Sequence, residues 1–84
     1  NRRIELDDEA KSILDNKIQI ILEQISQRPT VSITYFLPDT KKAGGEYVTI
    51  TGTIKKIDGY NQVIVLENRI EIPINEIIDI DMNN

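Results

Sequence analysis

Thr30-Val31-Ser32-Ile33-Thr34-Tyr35-Phe36 and Tyr47-Val48-Thr49-Ile50-Thr51-Gly52-Thr53 are the two stretches that decide the fold. Each alternates apolar and polar residues at period two, the pattern of a strand with one buried face. In the first, Val31, Ile33, Tyr35 and Leu37 point one way, and Thr30, Ser32, Thr34 and Phe36 the other. In the second, Val48, Ile50, Gly52 and Ile54 face in while Tyr47, Thr49, Thr51 and Thr53 face out. Antiparallel pairing that sets Thr30 beside Thr53, Ser32 beside Thr51, Thr34 beside Thr49 and Phe36 beside Tyr47 matches hydroxyl to hydroxyl and ring to ring. Registers two residues away satisfy the same pleat.

Outward from this hairpin the pattern keeps its punctuation. Residues 38–45 are polar with two adjacent glycines, a long hairpin loop. At Lys55-Lys56 the alternation slips, which predicts a bulge and a sharp bend. Asp58-Gly59 signals a turn into a third strand over residues 62–67, whose run of β-formers predicts cover on both faces. Asn68-Arg69 turns again. Ile70, Ile72 and Ile74 make a fourth strand, with Pro73 marking an edge or a strand end. Asn75-Glu76 breaks the run before a fifth strand carrying Ile78, Ile80 and Met82. The inward phases predict that Ile33, Ile50, Ile54, Val65, Ile72 and Ile80 are almost fully buried.

Before Pro29 the period is different. Ala10, Ile13, Leu14, Ile18, Ile21, Leu22 and Ile25 recur at three- and four-residue spacing, one face of a helix over about residues 8–27. Asp7 can cap it, Asp8 and Glu9 suit the positive end of its dipole, and Arg28-Pro29 stop it. The whole is a single α+β, mainly β domain: an N-terminal helix followed by a five-stranded antiparallel SH3-like or Sm-like barrel over about residues 30–82. The helix would cap the barrel's open end; the alternative is a helix lying across an open antiparallel sheet.

Composition narrows the chemistry. Seventeen of the 84 residues are isoleucine, so an aliphatic core needs neither metal nor cofactor. Cysteine and histidine are absent, which removes thiolate ligands, disulfides and the commonest base at neutral pH. Ten basic residues against 14 acidic give a net charge of −4, the wrong sign for phosphate-led nucleic-acid binding. The longest apolar run, Val63 to Leu66, is far short of a membrane span. The chain opens on Asn1 rather than methionine, and the expectation is a cytoplasmic fragment of a longer product.

From about residue 20 onward the chain resembles the YolD-like family of small bacterial proteins. The resemblance lies in Val31-Ser32-Ile33-Thr34-Tyr35, in Thr51-Gly52-Thr53-Ile54-Lys55-Lys56-Ile57-Asp58, and in Ile72-Pro73-Ile74 followed by Ile77-Ile78-Asp79-Ile80. It covers roughly three quarters of the chain, and the order and spacing of the motifs carry it. It implies an Sm-like barrel and a non-enzymatic accessory of a Y-family translesion DNA polymerase. That accessory would act in the SOS response as a counterpart of the polymerase-associated protein UmuD.

Such a counterpart invites a search for a serine–lysine protease pair. Ser12 and Ser26 fall on the helix, Ser32 falls on a strand, and every lysine lies in a polar segment, so catalysis is not expected. Glu76, Asp79 and Asp81 have the chemistry of a hard-cation site, but an acidic face that discourages strand pairing explains them better. Lys41 and Lys42 in the long loop and Lys55 and Lys56 on the next strand fall at opposite ends of the hairpin and make no single phosphate-tracking patch. Lys41 and Lys42 remain candidates for contacting a nucleic acid or an acidic partner. Phe36 and Tyr47, on the outward face at the loop end, are candidates for an exposed aromatic anchor that binds a protein partner; the alternative is that the helix or the long loop folds over them. The second class of function left open is an Sm-like nucleic-acid-binding or structural module.

Overall fold

A computed structural model describes residues 6–39, 41 and 44–83. Helix α1 (Asp8–Glu23) is followed by a single 3-10 turn (Ile25–Gln27). Five strands follow: β1 (Thr30–Pro38), β2 (Gly45–Asp58), β3 (Val63–Leu66), β4 (Glu71–Pro73) and β5 (Ile77–Asn83). They form an open antiparallel sheet in the order β4-β3-β2-β1-β5.

The Asp7 carboxylate accepts the Ala10 amide at 2.8 Å and so caps α1 as its sequence requires. The α-helix ends four residues before the expected stop, at Glu23, and tightens into the 3-10 turn. Arg28 adopts a left-handed conformation, φ 50° and ψ 66°, the common way for a helix to end, and Pro29 prevents any continuation.

The β1–β2 register is the one that matched hydroxyl to hydroxyl, from Thr30 opposite Thr53 to Phe36 opposite Tyr47. The expected bulge is present as well, between Ile54 and Lys56. It lets the 14-residue β2 serve two partners, β1 with its first half and β3 with its last. Gly52 sits just before the bend. A Cβ there would lie 3.1 Å from the Leu66 side chain, so its bareness gives Leu66 room to cross β2.

Four of the six residues expected in the core are fully buried: Ile33, Ile54, Ile72 and Ile80. Ile50 and Val65 are only half-buried. The slip at the bulge pairs Ile54 with Leu66 and Lys56 with Val65, so Ile64 and Leu66 take the inner phase that Val65 was expected to hold. That leaves Val63 and Val65 half-covered rather than enclosed. Ile50 lies on β2, while α1 leans on β5, so the helix covers that part of the sheet incompletely. A second bulge opposite Thr34 and Tyr35 shifts β5, and Ile77 rather than Ile78 becomes its buried partner to Ile80. Residue 74 leaves the fourth strand for a 3-10 turn (Ile74–Glu76) that leads into β5.

Candidate protein-docking surface

The outer face of the sheet is built from the polar phase of three neighbouring strands. Thr30 and Thr53 hydroxyls meet at 3.1 Å, Ser32 and Thr51 at 3.0 Å, and Thr34 and Thr49 at 2.8 Å. Asn83 on β5 extends this ladder by donating to the Ser32 hydroxyl at 2.9 Å. Ser32 is thereby committed to structure, and Ser12 and Ser26 stand exposed on α1 and the turn after it.

Phe36 and Tyr47 close the ladder at the loop end, with ring centroids 5.3 Å apart in an edge-to-face arrangement. The structure decides between an exposed anchor and a covered pair. Phe36 is only 4 % exposed, whereas its inward-phase neighbour Leu37 is 45 % exposed. The hairpin runs on past the core here, so its inner side opens to solvent. The outer side is closed over Phe36 by Tyr47 and by the Gly45 backbone, where a Cβ would meet the ring tip at 2.7 Å. Tyr47 stays half-buried. Lys41 is exposed, its backbone amide bonded to Asp39 at 2.8 Å. Lys42 lies outside the described residues. Lys55 and Lys56 are exposed at the bulge, at the far end of β2 from Lys41.

Asp79 and Asp81 do share the outer face of β5, and a lysine from the helix holds both. Lys17 Nζ lies 3.0 Å from Asp79 and 3.1 Å from Asp81. The hydrogen bond to Asp79, then that to Asp81, pushes the Lys17 ammonium above its usual 10.5. The Lys17 hydrogen bond in turn pulls Asp79 below its usual 3.8. A lysine serving as a catalytic base needs the opposite shift. Sequence reasoning missed this clasp because the partners are more than 60 residues apart, and no local pattern reports such a contact.

The packed stripe of α1 is narrower than its spacing suggests, with Leu14, Ile18 and Ile21 buried and Ile13 left out of it. Ile13 and Ile20, two helical turns apart on α1, are 51 % and 46 % exposed, on the flank of the helix that carries Lys17. Beside them a hollow of ≈ 100 Å³ opens between α1 and β5, lined by Lys17, Ile20, Ile21, Ile80, Asp81 and Met82. At the opposite end of the chain's long hairpin arm, Tyr60 projects from the β2–β3 turn and is 95 % exposed. That turn is held by Asp58, whose carboxylate accepts the amides of Tyr60 and Asn61 at 3.0 Å each and the Asn61 side chain at 2.8 Å. The Asn61 amide, then its side chain, draws the Asp58 carboxyl below 3.8. Among the described residues no group of three acidic, cysteine or histidine side chains is placed to hold a metal, and no helix is long and apolar enough to cross a membrane.

No family model, no curated protein and no solved structure matches the chain.

Proposed function

We propose that this chain is a non-enzymatic protein-binding module of the SH3-like or Sm-like barrel type. In this reading it serves a Y-family translesion DNA polymerase in the bacterial DNA-damage response, in the cytoplasm. The strand order and a bent β2 shared by both halves of the sheet support the barrel type. The resemblance of the strand motifs at residues 31–35, 51–58 and 72–80 supports the choice of partner.

The observation that carries protein binding is the apolar flank of α1. A helix of 16 residues that buries Leu14, Ile18 and Ile21 has no folding need for isoleucine at 13 and 20. Exposing both on one flank, with Ile20 lining an apolar hollow, fits a surface meant to be covered. The Phe36 ring is withdrawn from this role and Tyr47 with Lys41 is left at the margin of the hairpin end.

The test is recovery of the polymerase with the tagged full-length protein from DNA-damaged cells, comparing wild type with Ile13→Ser/Ile20→Ser. Loss of the polymerase with an unchanged far-ultraviolet spectrum supports the reading; undiminished recovery refutes the helix flank as the contact. A nucleic-acid role predicts instead that the chain binds oligonucleotides in a steeply salt-dependent way, which fluorescence anisotropy at physiological salt detects.

A further inference from the structure

Among the described residues β5 pairs on one side only, with β1, and the hydrogen-bond phase fixes what its other side offers. The Ile54 amide donates to the Pro29 carbonyl and the Asp39 amide to the Gly44 carbonyl, and both pairs continue the β1–β2 register. Odd-numbered residues of β1 therefore exchange bonds with β2, and even-numbered ones turn to β5. Ser32 opposite Asp81 and Thr34 opposite Asp79 are the bonded pairs of β1 and β5. It follows that Ile80 and Met82 present their amides and carbonyls to the open edge.

The two flanks of that edge differ in chemistry. On the outer side stand the carboxylates of Asp79 and Asp81, and on the inner side lies the hollow floored by Ile20, Ile21 and Met82. Lys17 starts on the inner side, on α1, and ends on the outer carboxylates. With β1 filling the other side of β5, its side chain must cross the open edge to get there.

From this geometry we infer that the β5 edge, with its aspartate pair and apolar hollow, is a docking site for an extended basic segment of a protein partner, guarded by Lys17. The inference deepens the protein-binding reading and rests on it. The incoming strand would bond to Ile80 and Met82, set basic side chains at alternate positions against Asp79 and Asp81, and drop an apolar side chain into the hollow. Lys17 already shows where a cation sits. The charges also disfavour the simplest rival, a second copy of this chain. Every antiparallel self-pairing that keeps the pleat and uses Ile80 puts an aspartate opposite an aspartate. A basic strand replaces the Lys17 ammonium cation for cation, so Lys17 acts as a competitor held in place by its own helix.

That competition gives the test its sign. The probe is an alternating lysine–valine heptapeptide, with the glutamate–valine peptide as control, titrated into isotope-labelled protein and followed by amide chemical shifts. Binding of the basic peptide should shift the Ile80 and Met82 amides. It should weaken by about three- to tenfold in Asp79→Asn/Asp81→Asn and tighten by a similar factor in Lys17→Ala. Shifts centred elsewhere, equal binding of the glutamate peptide, or indifference to both variants would overturn the assignment. Peptide capture at β5 without recovery of the polymerase from cells would leave this site standing and remove the polymerase from the reading above. Recovery of the polymerase undiminished by Asp79→Asn/Asp81→Asn, with no peptide shift at β5, would do the reverse.

Discussion

Truncating Ile54 and Ile50 to alanine, each alone, tests how the bend in β2 divides the core. Both belong to the inward phase of one strand, four residues apart, and the sequence pattern treats them alike. Ile54 is fully buried, paired with Leu66 across the bulge, with its amide on the Pro29 carbonyl. The cavity left there is walled by two strands and the chain entering β1, so little can collapse into it. The loss should fall in the upper part of the range for such truncations, about 3–5 kcal/mol. Against a total stability of about 4–12 kcal/mol for a chain of this length, that is a large fraction. It corresponds to a fall in Tm of roughly 12–30 °C. Ile50 is half-buried, and the same change there should cost about 1–2 kcal/mol. Urea unfolding followed by circular dichroism gives both values, provided the slope with denaturant is common to all three proteins. Equal losses, or a larger one at Ile50, would refute the placement of the bend and the helix relative to β2.

Phe36→Ala should unfold more than it unbinds, with a loss of about 3 kcal/mol in the same urea assay, because the ring is enclosed by Tyr47 and Gly45. Gly52→Val should cost about 1–3 kcal/mol by forcing Leu66 off the strand, while Gly52→Ala should cost less, since Leu66 must move by only a few tenths of an ångström. Lys17→Met should lower stability at neutral pH by less than about 1 kcal/mol, since both ion pairs are half-exposed and screened. That difference has a definite pH dependence. Asp79 is lowered in the fold, so its share is present above 3.8 and is lost as the pH falls through the lower folded value. Lys17 is raised, so its share is present below 10.5 and is lost as the pH rises through the higher folded value. Melting curves of wild type and Lys17→Met should converge at both extremes and in molar salt; a gap that persists in acid would refute the clasp.

The hairpin and its register were legible because period-two alternation and matched hydroxyls are local facts, and the threonine ladder is their direct consequence. The bulge at Lys55-Lys56 was legible as a slip in phase, but its effect on the next strand was not. A run such as Val63-Ile64-Val65-Leu66 has no polar residue to say which side is in, and only the pairing across the bulge decides for Ile64 and Leu66. Phe36 shows the converse limit. Its phase was legible and its burial was left open, because alternation assigns a face but says nothing about what lies over it. The clasp of Lys17 on β5 depends on where the helix settles against the sheet, a long-range packing outcome with no short-range trace.

Among the described residues the sheet has two open edges, and they are blunted in ways that bear on which one is usable. β4 is three residues long, and the bonds from the Ile74 amide to the Gln62 carbonyl and from the Leu66 amide to the Ile70 carbonyl turn its even-numbered residues toward β3. Glu71 and Pro73 therefore face outward, and Pro73 has no amide to offer. This protection is covalent and permanent. β5 is seven residues long, turns the amides and carbonyls of Ile80 and Met82 to the open edge, and among the described residues is crossed there by the side chain of Lys17. Its protection depends on two exposed ion pairs worth together less than about 1 kcal/mol, so a partner that supplies its own cations can remove it without disturbing the core. A strand edge that must never pair is better closed by proline; one closed by a displaceable lysine keeps the chain from pairing with itself while leaving the edge open to a partner of the right charge.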